Sequence, residues 1–191
     1  MQTSNKKQTF ISLLRGINVS GKRILKMETL SRLYSEMGLK NIKTYIQSGN
    51  VIFQTSNQKT IDLEKQISEN ILNQFKIEVP IIVLNFKELQ TIFTQNPFLN
   101  ERNEDISKLH LTLLSELPTQ EKLNQLTDIQ FFPSEYHIYK KSIYLFCPEG
   151  YSKTKLTNTF FENKLKIKAT TRNWKTMNEI WTLAKNIDST S

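Results

Sequence analysis

A chain of 191 residues with a formal charge of +8 and one cysteine is long enough to bury a core without a disulfide or metal staple. The lone Cys147 excludes an internal disulfide and fits a reducing compartment. No apolar run nears the ~20 residues of a membrane span, and the apolar stretch before Arg15 is too short for a signal-peptide core, so composition predicts a cytoplasmic protein with no membrane partner.

Charge is unevenly spread. Residues 1–43 carry +7, residues 44–150 carry −4, and residues 151–191 carry +5. An acidic middle between two basic ends predicts a basic face if the ends meet in space; a generally well-solvated, lysine-rich surface gives the same count.

Phe10 to Leu14 is a short apolar run and reads as a buried central strand. A loop from Arg15 to Lys26 follows, with glycines at 16 and 21. Met27, Leu30, Leu33, Tyr34 and Met37 recur at helical spacing, and Gly38 stands where a helix-ending glycine belongs. Alternation from Ile42 to Ile46, the turn signal Ser48-Gly49-Asn50 and the return Val51-Ile52-Phe53 predict a hairpin. Thr60 is placed to cap a helix whose buried stripe is Leu63, Ile67, Ile71 and Phe75. Pro80 opens a strand over Ile81–Leu84, and Asn85 with Glu88 forms a capping pattern for the next helix, which Asn96-Pro97 ends.

Residues 99–107 are polar, and the order then repeats. Leu109, Leu111 and Leu113 alternate in a strand, and Pro118-Thr119 starts a short helix. Segments 129–132 and 136–139 read as extended, and Lys140-Lys141 turns into a strand at Ile143–Phe146. Leu156, Phe160 and Leu165 mark a helix, Ile167–Thr171 a strand, and Thr176 with Glu179 a capping box for the last helix. Strand, helix, hairpin, helix, strand is the ferredoxin-like order. The expected fold is therefore α+β: two ferredoxin-like βαββαβ halves in tandem with extra helices, 1–98 and 99–191, packed as one compact unit.

Gly16-Ile17-Asn18-Val19-Ser20-Gly21-Lys22 has the spacing of a phosphate loop after a strand, but Arg23 stands where a metal-binding hydroxyl belongs and the helical pattern starts only near Met27. A looser anion-binding turn fits better, set against glycines that serve loop geometry alone. Ser48 and Asn50 offer a hydroxyl and an amide at the hairpin tip, where turn chemistry is a sufficient reason for either. Lys153, Lys155, Arg172 and Lys175 flank the last strand around Asn173 and Trp174; Trp174 reads as packing under the last helix in preference to stacking on a base. His110, His137 and Cys147 form no ligand or nucleophile spacing, and no cofactor is called for.

The words Leu13-Leu14-Arg15-Gly16-Ile17-Asn18-Val19-Ser20-Gly21-Lys22 and Thr44-Tyr45-Ile46-Gln47-Ser48-Gly49-Asn50-Val51-Ile52-Phe53 resemble the opening of a bacterial family catalogued as domain of unknown function 1697. The match continues at Asn96-Pro97-Phe98, Lys153–Asn158, Phe160-Phe161-Glu162 and Ala169–Thr176. Ser20 stands where that family usually has glycine, which weakens an anion-nest reading. The resemblance implies a tandem of ferredoxin-like halves and no established activity.

From residues and resemblance together, the expectation is a binder of an anionic small molecule or nucleic acid at a basic face. Arg15, Asn18, Lys22, Ser48, Asn50, Lys153, Lys155, Arg172 and Asn173 are its candidate ligand-binding residues. The alternatives are an enzyme acting on a phosphorylated small molecule and a protein-interaction module.

Overall fold

The structure, a computed structural model, describes residues 7–19, 21–56 and 58–189. The expectation attached to Ser20 lies outside the described residues. The chain is mixed α+β, with two four-stranded antiparallel sheets and helices. It divides into two compact units, Met1–Gln90 with Glu179–Ser191, and Thr91–Asn178.

The first unit runs β1 (Gln8–Leu14), α1 (Met27–Glu36), β2 (Lys40–Tyr45), β3 (Asn50–Thr55), α2 (Thr60–Phe75) and β4 (Ile81–Asn85). Its sheet order is β2-β3-β1-β4, with the first strand central and every neighbour antiparallel. Because side chains alternate across a strand, Phe10, Leu14, Val51, Phe53 and Val83 point to one face. There they meet Leu30, Leu33 and Tyr34 of α1 and Leu63, Ile67 and Ile71 of α2, all buried. Those helical residues belong to the apolar stripes read from the sequence. Helix α1 ends as its glycine predicts: Gly38 takes φ +82, its N–H bonds Ser35 O, and the Leu39 N–H bonds Tyr34 O. Helix α2 departs from expectation, since Thr60 is its first residue and Lys59, with no side-chain bond, is its cap.

Helix α3 (Phe86–Thr94) follows through the expected reciprocal cap: Glu88 N–H donates to Asn85 Oδ1 and Asn85 N–H to Glu88 Oε2, each at 2.9 Å. Asn96 both closes α3 and caps the short α4 (Pro97–Asn100), accepting from the Phe98 N–H.

The second unit runs β5 (Leu109–Leu114), α5 (Gln120–Asn124), β6 (Glu135–Tyr139), β7 (Ser142–Phe146), α6 (Asn158–Leu165) and β8 (Ala169–Asn173), in the order β6-β7-β5-β8. Its core gathers Leu114, Ile143, Leu145, Cys147, Phe161 and Leu165. The segment 129–132, expected to be extended, makes one isolated bridge, Phe131 with Ser134, and the Tyr136 hydroxyl donates to the backbone carbonyls of Leu126 and Ile129. Helix α7 (Trp174–Asp188) begins two residues earlier than its predicted cap: Asn173 Oδ1 accepts from the Thr176 N–H at 2.7 Å, so Asn173 is the cap and Thr176 is buried inside the first turn.

The sequence places a division at residue 98. The first compact unit ends at Gln90 and takes in Glu179–Ser191. Within that unit Trp181 stacks on Phe86 at 5.5 Å, and Gln54 donates to the Ile187 carbonyl at 3.2 Å. Ile11, Leu13, Ile52 and Gln54 on the far face of the first sheet are buried as well.

Both units close a sheet edge by the same device. In the first, Glu64 of α2 accepts from the outward N–H of Val83 on β4 at 2.8 Å; in the second, Glu162 of α6 accepts from Ala169 on β8 at 2.9 Å. An edge N–H given to a side chain is no longer offered to another chain.

Candidate anion site

The loop between β1 and α1 is a pinned structure. Asn18 sits at φ +54 and uses its side chain in three directions. Its Nδ2 donates to Leu25 O (2.9 Å) and to Gln47 O in the hairpin turn (2.8 Å), while its Oδ1 accepts from the Leu25 N–H (2.8 Å). The main chain adds Asn18 N–H to Arg23 O and Lys22 N–H to Val19 O. Ile17 and Leu25 are buried beneath, so the loop is held from both ends.

The hairpin tip packs against it. Gly49 takes φ +74, and a Cβ there would lie 2.7 Å from both Ile17 Cδ1 and Leu14 Cβ, closer than atoms pack. Asn50 is 0% exposed; its Nδ2 donates to Tyr45 O at 3.0 Å and to Ser48 Oγ at 2.9 Å. The side-chain amide of Asn18 bonds the protein's own backbone, and that of Asn50 bonds Tyr45 O and the Ser48 hydroxyl within the same turn.

The basic groups are what the loop leaves outside. Lys22, Arg23 and Lys26 are exposed and Arg15 is half-buried. The Arg23 guanidinium crosses Gly16, with Nη1 3.3 Å from where a Cβ on that glycine would stand. Arg23 and Lys26 were not among the expected site residues, although counting cations along the loop finds both. The phosphate-loop pattern does not become the corresponding fold, because α1 starts at Met27, five positions past the lysine.

The second unit places the other four expected residues on β8 and on the segment before α6. Arg172 and Asn173 are consecutive on β8, so their side chains lie on opposite faces of the sheet. Arg172 pairs in register with Leu111, and burial pushes its guanidinium down to about 10, still cationic at neutral pH. Asn173 is spent as the α7 cap. Lys153 and Lys155 are exposed on the segment before α6. Trp174 is 1% exposed, beside Phe93 at 5.1 Å and Tyr144 at 6.2 Å, which excludes it as a platform for a base.

Cys147 is buried, and burial pushes its thiol up to about 11, the wrong direction for a nucleophile. His110 stacks on Tyr151 at 4.8 Å, and burial lowers its pKa below the ordinary 6.5. A cavity of about 730 Å³ in the second unit is lined by Leu123, Leu126, Ile129, Phe131, Phe132 and neighbours, and one of about 500 Å³ in the first by residues including Gln8, Phe86 and Asp188; neither includes a residue of the basic loop.

With this geometry in place, comparison with known proteins adds identity of descent and fold. A family model described as "Protein of unknown function (DUF1697)" matches residues 7–144. The chain belongs to that family. The matched span of this DUF1697 chain contains the pinned loop, the hairpin and the whole first sheet. Among solved structures, the conserved bacterial protein SP0830 from Streptococcus pneumoniae is similar in fold, with a TM-score of 0.69 at 24% identity over 94% of this chain and 99% of that one. No curated protein matches. Among the described residues no helix is long and apolar enough to cross a membrane.

Proposed function

We propose that this is a cytoplasmic protein of two ferredoxin-like halves that binds a phosphate-bearing anion through the loop between β1 and α1. The strand order of each sheet, first strand central beside the last, supports the ferredoxin-like reading. The observation that carries the binding reading is the Asn18 clamp: three side-chain hydrogen bonds hold a loop whose outer surface is Lys22, Arg23 and Lys26. A basic loop that is already ordered loses little entropy when an anion docks, so its cations act together.

The experiment is a titration at low salt with tripolyphosphate and with a short single-stranded oligonucleotide, read by calorimetry and thermal shift. Binding to the loop makes log affinity fall by roughly 0.7–0.9 per log of salt for each phosphate neutralised. The double variant Lys22→Ala, Arg23→Ala lowers that slope by about two phosphate equivalents. Indifference of the melting temperature to both probes sinks the reading. The oligonucleotide arm separates nucleic acid from small phosphorylated ligands.

A second reading, a protein-interaction surface, is favoured by Val19, Ile24 and Ile46, three large apolar side chains exposed on the same loop and turn. It requires binding that survives high salt.

A further inference from the structure

The four sheet edges are not treated alike. Strand β4 gives its Val83 N–H to Glu64 and β8 gives its Ala169 N–H to Glu162. Strand β2 has a register break between Lys40 and Lys43, carries a lysine at each of those positions, and has Asn41 in left-handed geometry. Bulges, lysines and side-chain caps are the devices by which proteins stop edge-to-edge pairing. Strand β6 carries none of them among the described residues. Its sequence Glu135-Tyr136-His137-Ile138-Tyr139 has no lysine or proline, and its pairing with β7 is unbroken over five residues.

The register states which groups β6 offers. Tyr139 faces Ser142 across the two-residue turn Lys140-Lys141, so Tyr139, His137 and Glu135 exchange hydrogen bonds with β7. The N–H and C=O groups of Tyr136 and Ile138 therefore point away from the sheet. The about 730 Å³ groove lies along this strand, lined by Tyr136, Ile138, Leu126 and Phe131, and Phe132 beside it is 93% exposed. The groove exists because α5 has five residues and buries none, whereas its counterpart α1 has ten and buries three.

We propose that β6 pairs antiparallel with β6 of a second copy of this chain, about a two-fold axis through His137. Self-pairing fits the strand's own charge and register. Its start is acidic, because Glu135 and Glu104 share the single cation Arg102, and its end is basic at Lys140 and Lys141. An antiparallel pair brings the acidic start of one copy to the basic end of the other, while a parallel pair sets like against like. With His137 on the axis, Tyr136 faces Ile138 of the second copy through mutual backbone hydrogen bonds, and Glu135 stands opposite Tyr139. The contact is isologous, so it closes at two subunits and does not propagate.

Analytical ultracentrifugation and native mass spectrometry of the full chain test this. His137 is exposed, so substitutions there leave the core intact. His137→Asp places two carboxylates face to face on the axis and weakens the dimer several-fold, with an unchanged melting temperature measured on dilute monomer. His137→Cys gives a disulfide-linked dimer on mild oxidation, because partners at such a position have Cα atoms roughly 4.5 Å apart, within disulfide range. A wild-type chain that stays monomeric up to about 0.5 mM, weaker than any useful affinity, overturns the proposal. So does a dimer indifferent to His137→Asp or one that His137→Cys fails to link.

Discussion

At the scale of single residues, the glycines separate by what surrounds them. Gly49 and Gly21 have almost the same backbone, φ +74 and +71, but a Cβ on Gly49 meets Ile17 and Leu14 while one on Gly21 meets nothing within 4 Å. Gly21→Ala is expected to cost about 1 kcal/mol from backbone strain alone. Gly49→Ala adds a clash in a buried corner and is expected to cost about 3 kcal/mol or more. Chemical denaturation of the two variants measures the gap. Asn18→Ala releases three hydrogen bonds at once, with an expected loss of about 2–3 kcal/mol, and it also weakens phosphate binding without removing any charge. Cys147 gives a readout of a different kind. With its thiol buried and its pKa pushed up to about 11, labelling by a thiol reagent should proceed at the rate of unfolding; fast labelling of the native protein contradicts that placement.

At the scale of elements, two glutamates seal the β4 and β8 edges. Glu64 and Glu162 each reach from a helix to an outward strand N–H, on α2–β4 in one unit and α6–β8 in the other. Glu162→Ala leaves a strand amide without its acceptor and is expected to lower stability by about 1–2 kcal/mol. It should also raise aggregation on heating, because an edge is reopened. Light scattering during a thermal ramp reads the second effect apart from the first. Glu162→Gln keeps an acceptor oxygen and should recover much of the loss.

At the scale of the whole molecule, the end of the last helix belongs to the first compact unit. Removing Glu179–Ser191 takes Trp181 off Phe86 and the Ile187 carbonyl off Gln54 in the first unit. Loss of a large aromatic contact and the apolar cover with it is worth about 3–5 kcal/mol. Hydrogen exchange should rise in β3 around Gln54, which loses its bond to the Ile187 carbonyl. Stability toward acid has its own signature in His110. Burial holds its pKa below 6.5 in the folded state, so the unfolded chain binds the proton more readily. That contribution is fully present above about pH 6.5 and is lost as pH falls through the folded value. His110→Gln should flatten the acid limb of a stability–pH curve over that range while leaving the neutral plateau's dependence on pH unchanged.

By itself the sequence determined the element order, because strand and helix periods are local properties of side-chain spacing. Leu63, Ile67 and Ile71 can share a face only if the chain is helical there, and they are buried together. The Gly38 and Asn85–Glu88 signals were legible for the same reason: each cap is completed by backbone groups within five residues of it. Chain length, charge and the family words likewise needed no coordinates. Only the tertiary structure decided the roles of Asn18, Asn50, Arg172 and Asn173. Asn18 looked like a ligand group because its partner Gln47 lies 29 positions away, across a hairpin whose packing no local pattern encodes. Arg172 and Asn173 are adjacent in sequence, and the strand sends such neighbours to opposite faces. The same non-locality hid Glu64 and Glu162: each looks like a surface helix glutamate until the sheet edge beside it is in place.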